Sequence, residues 1–225
     1  MNKTKIEWCD YTWNPITGCL KGCSYCYARR IYARFKKSFK PEFHYDRLIQ
    51  PVKLEKPSKI FVCSVADFWG KGTLQIWRDE VYNIIRACPE HTFIFLTKQS
   101  HKIKDFTRVP GNCWIGVTYT KYGDEWRIAQ LIHMTHNYEK TFISYEPMMD
   151  GYTDYLFLGH WLIVGAMTGA QAREHKPDSG ALLEIIQTSR RLKLPLFMKN
   201  NLKPYWPTEL IQEWPEMGVS KCLSL

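Results

Sequence analysis

Six short runs rich in β-branched and aromatic residues recur from residue 59 onward: Lys59-Ile-Phe-Val-Cys-Ser64, Thr92-Phe-Ile-Phe-Leu-Thr97, Trp114-Ile-Gly-Val-Thr118, Thr141-Phe-Ile-Ser-Tyr-Glu146, Trp161-Leu-Ile-Val-Gly165 and Leu194-Pro-Leu-Phe-Met-Lys199. Each is apolar on both faces of an extended chain, where a half-exposed strand would alternate. Such strands belong in a parallel sheet covered by helices, and the intervals between these runs are long enough for crossover helices. Segments 75–87, 124–135 and 181–192 carry apolar residues at helical spacing, as in Leu182, Leu183, Ile185, Ile186 and Leu192. A shorter extended piece, Tyr11-Thr-Trp-Asn-Pro15, precedes them. The pattern predicts an α/β fold, an incomplete parallel (β/α) barrel of about six or seven units, in a chain slightly shorter than the roughly 250 residues of a full barrel.

There is no internal repeat, low-complexity tract or Gly/Ser linker, so residues 1–225 are expected to form one domain, with an irregular excursion at about 36–57. No stretch approaches the roughly eighteen uninterrupted apolar residues of a membrane span. The opening residues Met1-Asn-Lys-Thr-Lys-Ile-Glu lack the apolar core of a signal peptide, so a soluble cytoplasmic protein without membrane partners is expected. Lys and Arg number 31 against 22 Asp and Glu, a net charge of +9 that favours anionic partners such as nucleic acid or nucleotides.

Cysteine usage is uneven. Cys19, Cys23 and Cys26 crowd into the segment 18–27, at spacing C-x3-C-x2-C after a strand end, whereas Cys63, Cys88, Cys113 and Cys222 are scattered through apolar surroundings. In a reducing compartment such crowding points to a bound metal. Three thiolates on one loop can hold three irons of a four-iron, four-sulfur cluster, and a missing fourth protein ligand leaves one iron open to a small molecule. A closed zinc site would need a fourth ligand, which Cys9 or His44 would have to supply.

This spacing, with Tyr25 just before Cys26, resembles the cluster loop of the radical S-adenosylmethionine (SAM) enzymes. The likeness is strongest to a phage-associated family of small three-cysteine-motif proteins that are radical-SAM-like. Its landmarks are Glu7-Trp8, Trp13-Asn14-Pro15-Ile-Thr-Gly18-Cys19, Ala66-Asp67, Leu96-Thr97-Lys98, Trp114-Ile-Gly116-Val117, Glu146-Pro147, Ile163-Val-Gly165, Thr168-Gly169 and Phe197-Met-Lys199. The chain departs from that family in having fewer residues between the first two cysteines, and Met167 where relatives often carry an acid.

The resemblance implies a [4Fe-4S] cluster on Cys19, Cys23 and Cys26, with SAM bound at the open iron. Reductive cleavage of SAM would give a 5′-deoxyadenosyl radical that abstracts hydrogen from a substrate, with a reductant such as flavodoxin or ferredoxin as partner. By the same resemblance Tyr25 would lie near the adenine, Ser64 and Asp67 near the methionine amino group, and Thr118, with Ser144 or Glu146, near the ribose. Thr168, just beyond the fifth run, joins the SAM-binding set. Asp67 and Glu146 would serve equally as helix caps or ion-pair partners.

Lys98, Glu146 and Lys199, where strands meet their loops, are candidates for proton transfer or for pairing with an anion, and Arg173 is a candidate anion clamp. From Tyr11 through Pro41 there is no acidic residue, while Lys21, Arg29, Arg30, Arg34, Lys36, Lys37 and Lys40 are basic. If the segment after Cys26 is helical, Ala28, Ile31 and Phe35 would face the core. Arg30, Arg34 and Lys37 would then line an outward stripe, and with Arg29 they are candidate nucleic-acid contacts. Three functions remain open from sequence: a radical SAM enzyme modifying or repairing a nucleic acid or nucleotide, one acting on a peptide or small metabolite, and a nonenzymatic zinc or iron–sulfur nucleic-acid-binding protein.

Overall fold

The computed structural model describes residues 1–104, 106–135 and 138–216. The described residues fall into two compact units, Met1–Trp114 and Ile115–Glu216. Cys222 lies outside the described residues.

In the first unit, β1 (Asn2–Lys3) pairs antiparallel with β2 (Tyr11–Trp13). A small separate sheet joins β3 (Ile16–Thr17) to β4 (Glu42–Phe43), also antiparallel. The sheet then runs parallel from β2 to β5 (Lys59–Val62) and on to β6 (Thr92–Thr97), with Trp13 opposite Val62 and Val62 opposite Phe95. Between these strands lie α1 (Tyr27–Arg34) and α2 (Gln75–Arg86). Trp13, Ile60, Phe93, Ile94, Phe95 and Ile85 are fully buried, so both sides of this sheet are covered, as its unbroken apolar runs require.

The second unit continues from β7 (Cys113–Tyr119) through β8 (Thr141–Tyr145), β9 (Leu162–Val164) and β10 (Leu196–Met198), every pairing parallel. Helix α3 (Glu125–Met134) connects β7 to β8, and α4 (Ser179–Leu192) connects β9 to β10. Asp178 caps α4 by accepting from the amide of Ala181 at 2.7 Å, and the helix stops at Lys193 in a left-handed conformation. Phe142, Ile143, Trp161, Ile163, Leu182, Ile185 and Phe197 form the core, with the Trp161 indole NH donating to the carbonyl of Glu213 at 3.0 Å.

All six apolar runs and the Tyr11 piece are strands, and the three amphipathic segments are helices within one or two residues of their expected ends. The excursion at 36–57 holds β4 and two short 3-10 turns, Tyr45–Arg47 and Pro51–Lys53. One expectation fails. Of the residues of α1 expected in the core, Ala28 is buried, but Ile31 is 47% exposed and Phe35, at the helix end, 65%. The inward side is instead occupied by Arg29 and Tyr32, which pack on Phe39.

Candidate metal and cofactor site

The polar ends of the strands in the first unit converge around the cysteine loop. Gly18 opens the loop at φ +81°, with its amide on the carbonyl of Val65 at 3.1 Å in a single parallel bridge to Ala66. The Cys19 amide donates to the carbonyl of Phe39 at 2.9 Å, so the loop is sewn to the chain on both sides before its first thiol. Arg29 reaches back from α1 to give the carbonyl of Cys19 a hydrogen bond of 2.7 Å, its guanidinium lying over the Phe39 ring at 5.0 Å. Arg29, a candidate nucleic-acid contact from sequence, here directs its charge onto the loop. Arg30 and Arg34 are exposed, whereas exposed Lys37 lies beyond the end of α1, since Lys36 turns the chain at φ +52°.

Each of the three thiols is partly exposed and unbridged. The Cys19 sulfur accepts from the amide of Lys21 at 3.4 Å, and the Cys26 sulfur caps α1 by accepting from the amide of Arg29 at 3.4 Å. Burial pushes the Cys19 thiol above its ordinary pKa, and the Asp67 carboxylate and the other two cysteines add to the rise. A thiol in that position is released as thiolate most readily by a bound cation.

The cysteines line a cavity of about 130 Å³ together with Tyr25, Ser64, Asp67 and Lys98. Thus the expected cluster and SAM residues of the first unit come together in one place, whereas Arg30, Arg34 and Lys37 do not join them. Asp67 is 7% exposed and accepts from the Thr97 hydroxyl at 2.7 Å and from the Lys98 amide at 3.1 Å, tying the end of β5 to that of β6. The Lys98 ammonium lies over the Tyr25 ring at 5.6 Å. The Ser64 hydroxyl donates to the Asn14 side-chain oxygen at 3.2 Å, which also accepts from the Val65 amide at 3.3 Å. The Tyr27 hydroxyl donates to the carbonyl of Ser64 at 2.6 Å. Replacing Asp67 by Ala leaves a buried hydroxyl and a backbone amide without their acceptor; we expect a loss of about 2 to 3 kcal/mol, read from the denaturation midpoint.

Among the described residues no three His, Cys, Asp or Glu side chains close on a point as one metal ion requires. A cubane cluster spreads its thiolates over different irons, so three thiols around a shared cavity fit it. A closed zinc site fits poorly. Cys9 is buried ahead of β2, at the strand end opposite the cysteine loop, and the His44 imidazole is engaged with the Thr17 hydroxyl at 2.9 Å.

In the second unit, Thr118 and Ser144 are register partners on β7 and β8, both almost fully buried, and the Thr118 hydroxyl has no hydrogen-bond partner among the described residues. Glu146 follows β8 and forms an ion pair with Lys199, which follows β10; both are partly buried. Asn201 holds the adjoining loop, its side chain bonding the amide and carbonyl of Ala166 at 3.0 and 2.9 Å. Thr168 and Arg173 are exposed, so Arg173 is a surface charge in this structure. Sequence reasoning missed the supporting roles of Asn14, Phe39 and Asn201. Asn14 lies in the quoted Trp13-Asn14-Pro15 stretch, which was a signal; Phe39 and Asn201 carry none.

No helix among the described residues is long and apolar enough to cross a membrane. Comparison with curated proteins finds no match. Among solved structures, a spore photoproduct lyase mutant matches with TM-score 0.56 at 14% identity, covering 92% of this chain and 76% of that one. A double mutant of spore photoproduct lyase with bound AdoMet and dinucleoside spore photoproduct matches with TM-score 0.58 at 12% identity and the same two coverages, 92% and 76%. Spore photoproduct lyase complexed with dinucleoside spore photoproduct matches with TM-score 0.55 at 12% identity, again covering 92% and 76%. The likeness shows the fold alone, an α/β arrangement of mostly parallel strands. A family model described as "Protein of unknown function (DUF5131)" matches residues 3–204, and the chain belongs to that family.

Proposed function

We propose that this chain is a radical SAM enzyme in which Cys19, Cys23 and Cys26 hold a [4Fe-4S] cluster and SAM binds beside it, the two units acting as one domain. The observation that carries this reading is the sharing of one cavity by three partly exposed thiols, Ser64, Asp67 and Lys98. Bound there, the cluster would supply the electron that cleaves SAM to methionine and a 5′-deoxyadenosyl radical, which abstracts hydrogen from the substrate.

The chain's own groups would do the rest. Asp67 keeps lone pairs beyond the two it gives Thr97 and Lys98, enough to accept from the methionine ammonium, with Ser64 beside it. The Lys98 ammonium, already over the Tyr25 ring, would meet the SAM carboxylate, and the ring would flank the adenine. The unpartnered Thr118 hydroxyl, with Ser144 and Glu146, would take the ribose hydroxyls, and Thr168 would close that side. The Lys199 and Glu146 ion pair would offer an acid beside a base for any proton transfer the substrate undergoes.

The substrate class we infer is a nucleic acid or nucleotide, modified or repaired, in keeping with the net charge of +9 and with the dinucleoside held by the spore photoproduct lyase structures. A cytoplasmic setting and a flavodoxin or ferredoxin reductant go with this chemistry. Anaerobic reconstitution with iron and sulfide, followed by reduction with SAM present, should release 5′-deoxyadenosine. A stable zinc protein with neither cluster nor cleavage would sink the reading.

A further inference from the structure

The outward face of α1 is the least ordinary surface of the first unit. Ile31 and Phe35, one turn apart, are 47% and 65% exposed, and Arg30 and Arg34 run alongside them one turn apart. Lys36 and Lys37 follow at the helix end, and no acid interrupts the chain from Tyr11 through Pro41. Large apolar side chains on a surface of one charge mark a docking face, since solvation alone would have placed polar groups there.

The geometry points to an acidic electron-carrier protein as the occupant of this face, an inference that rests on the proposed cluster. Three observations favour it over nucleic acid. The apolar centre includes the aliphatic Ile31, which offers a phosphate backbone nothing and a protein partner a buried contact. The basic rim is complementary to an acidic protein and would steer its approach. Arg29, the candidate nucleic-acid contact nearest the thiols, is turned inward onto Cys19. The helix also begins at Cys26, whose thiol caps it, so a carrier seated on α1 sits next to a cluster ligand. Two helical turns suit the small interfaces of transient electron-transfer pairs. In the encounter the carrier is oxidised by one electron, which passes to the cluster, and no bond forms or breaks.

The probe is a purified flavodoxin, titrated into the reconstituted protein and its Ile31→Ser, Phe35→Ser and Arg34→Glu variants at two salt concentrations. Wild type should bind more weakly as salt rises, and each substitution should weaken binding by about tenfold. Release of 5′-deoxyadenosine by Ile31→Ser and Phe35→Ser should fall with reduced flavodoxin and stay at the wild-type level with dithionite. Unchanged flavodoxin binding in all three variants overturns the inference. So does a loss confined to binding of a labelled oligonucleotide, which would assign the face to nucleic acid. If wild type releases no 5′-deoxyadenosine even with dithionite, the radical SAM reading falls, while the binding titration still decides the face.

Discussion

Cys23→Ala should abolish both cluster assembly and SAM cleavage while leaving the protein folded. Of the three loop cysteines it gives the cleanest test. Cys26 caps α1 and Cys19 accepts from the Lys21 amide, so removing either thiol also removes a structural contact, a cap being worth about 0.5–2 kcal/mol. Cys23 supports the loop through its backbone, its carbonyl accepting from the Cys26 amide at 3.2 Å, and alanine keeps that bond. Losing a mere supporting partner of a metal ligand typically costs about 10- to 100-fold. Losing a ligand outright should therefore cut 5′-deoxyadenosine release by more than about a hundredfold. The measurements are iron and sulfide content, visible absorption and product yield against wild type, with thermal unfolding as the control for folding. Full activity in Cys23→Ala would remove the three-cysteine site. The companion variant Cys9→Ala should leave iron and sulfide content, absorption and product yield at the wild-type level, because Cys9 lies at the other end of β2, and should lower only the unfolding midpoint through its lost packing.

The parts of the fold legible in sequence were those encoded by long, two-sided apolar runs. Phe93, Ile94 and Phe95 announce a covered strand wherever they occur, and the helical spacing of Leu182, Ile185 and Ile186 announces α4. The two-residue strands β1, β3 and β4 escaped because a pair of residues such as Asn2 and Lys3 has no periodicity to show. The failure at α1 has a different cause. Apolar residues at helical spacing read as inward-facing, yet the wheel turns on which side meets a neighbour, and Phe39, brought alongside by the excursion, meets Arg29 and Tyr32.

The candidate site shows the same division. Thiol spacing and strand-end polarity can be read from a chain one residue at a time, and they named Cys19, Cys23, Cys26, Ser64, Asp67 and Lys98, which do share a cavity. What fixes those groups could not be read so. The left-handed turn at Cys63, φ +58°, lets the chain leave β5 for Ser64, and burial pushes its thiol up to about 12. Nothing in Val62-Cys63-Ser64 signals that turn, which a non-glycine residue adopts only when its surroundings impose it.

Gly18→Ala should be the most destabilising single-methyl change in the cysteine loop. Two costs add at this position. At φ +81° an alanine sits in the left-handed region, at about 1–2 kcal/mol. Its Cβ would also fall on the backbone carbonyl of Lys40 and come within 2.9 Å of the Phe39 carbonyl oxygen. Backbone cannot swing aside as a side chain does, because that stretch is held by the Cys19 to Phe39 hydrogen bond. Forced overlap of this kind adds about 1–3 kcal/mol, for a total of about 2–5 kcal/mol. For a chain of this size that corresponds to a fall of roughly 5 to 15 °C in the unfolding midpoint. Gly22→Ala, four residues on at φ +76°, provides the comparison, since a Cβ there meets nothing within 4 Å. It should cost only the conformational part, about 1–2 kcal/mol. Calorimetry on the two variants separates the terms: equal losses would mean that Gly18 serves only its dihedral. A larger loss at Gly18, with poorer iron incorporation, would mean that the close approach of the chain at Lys40 is what sets the first thiol in place.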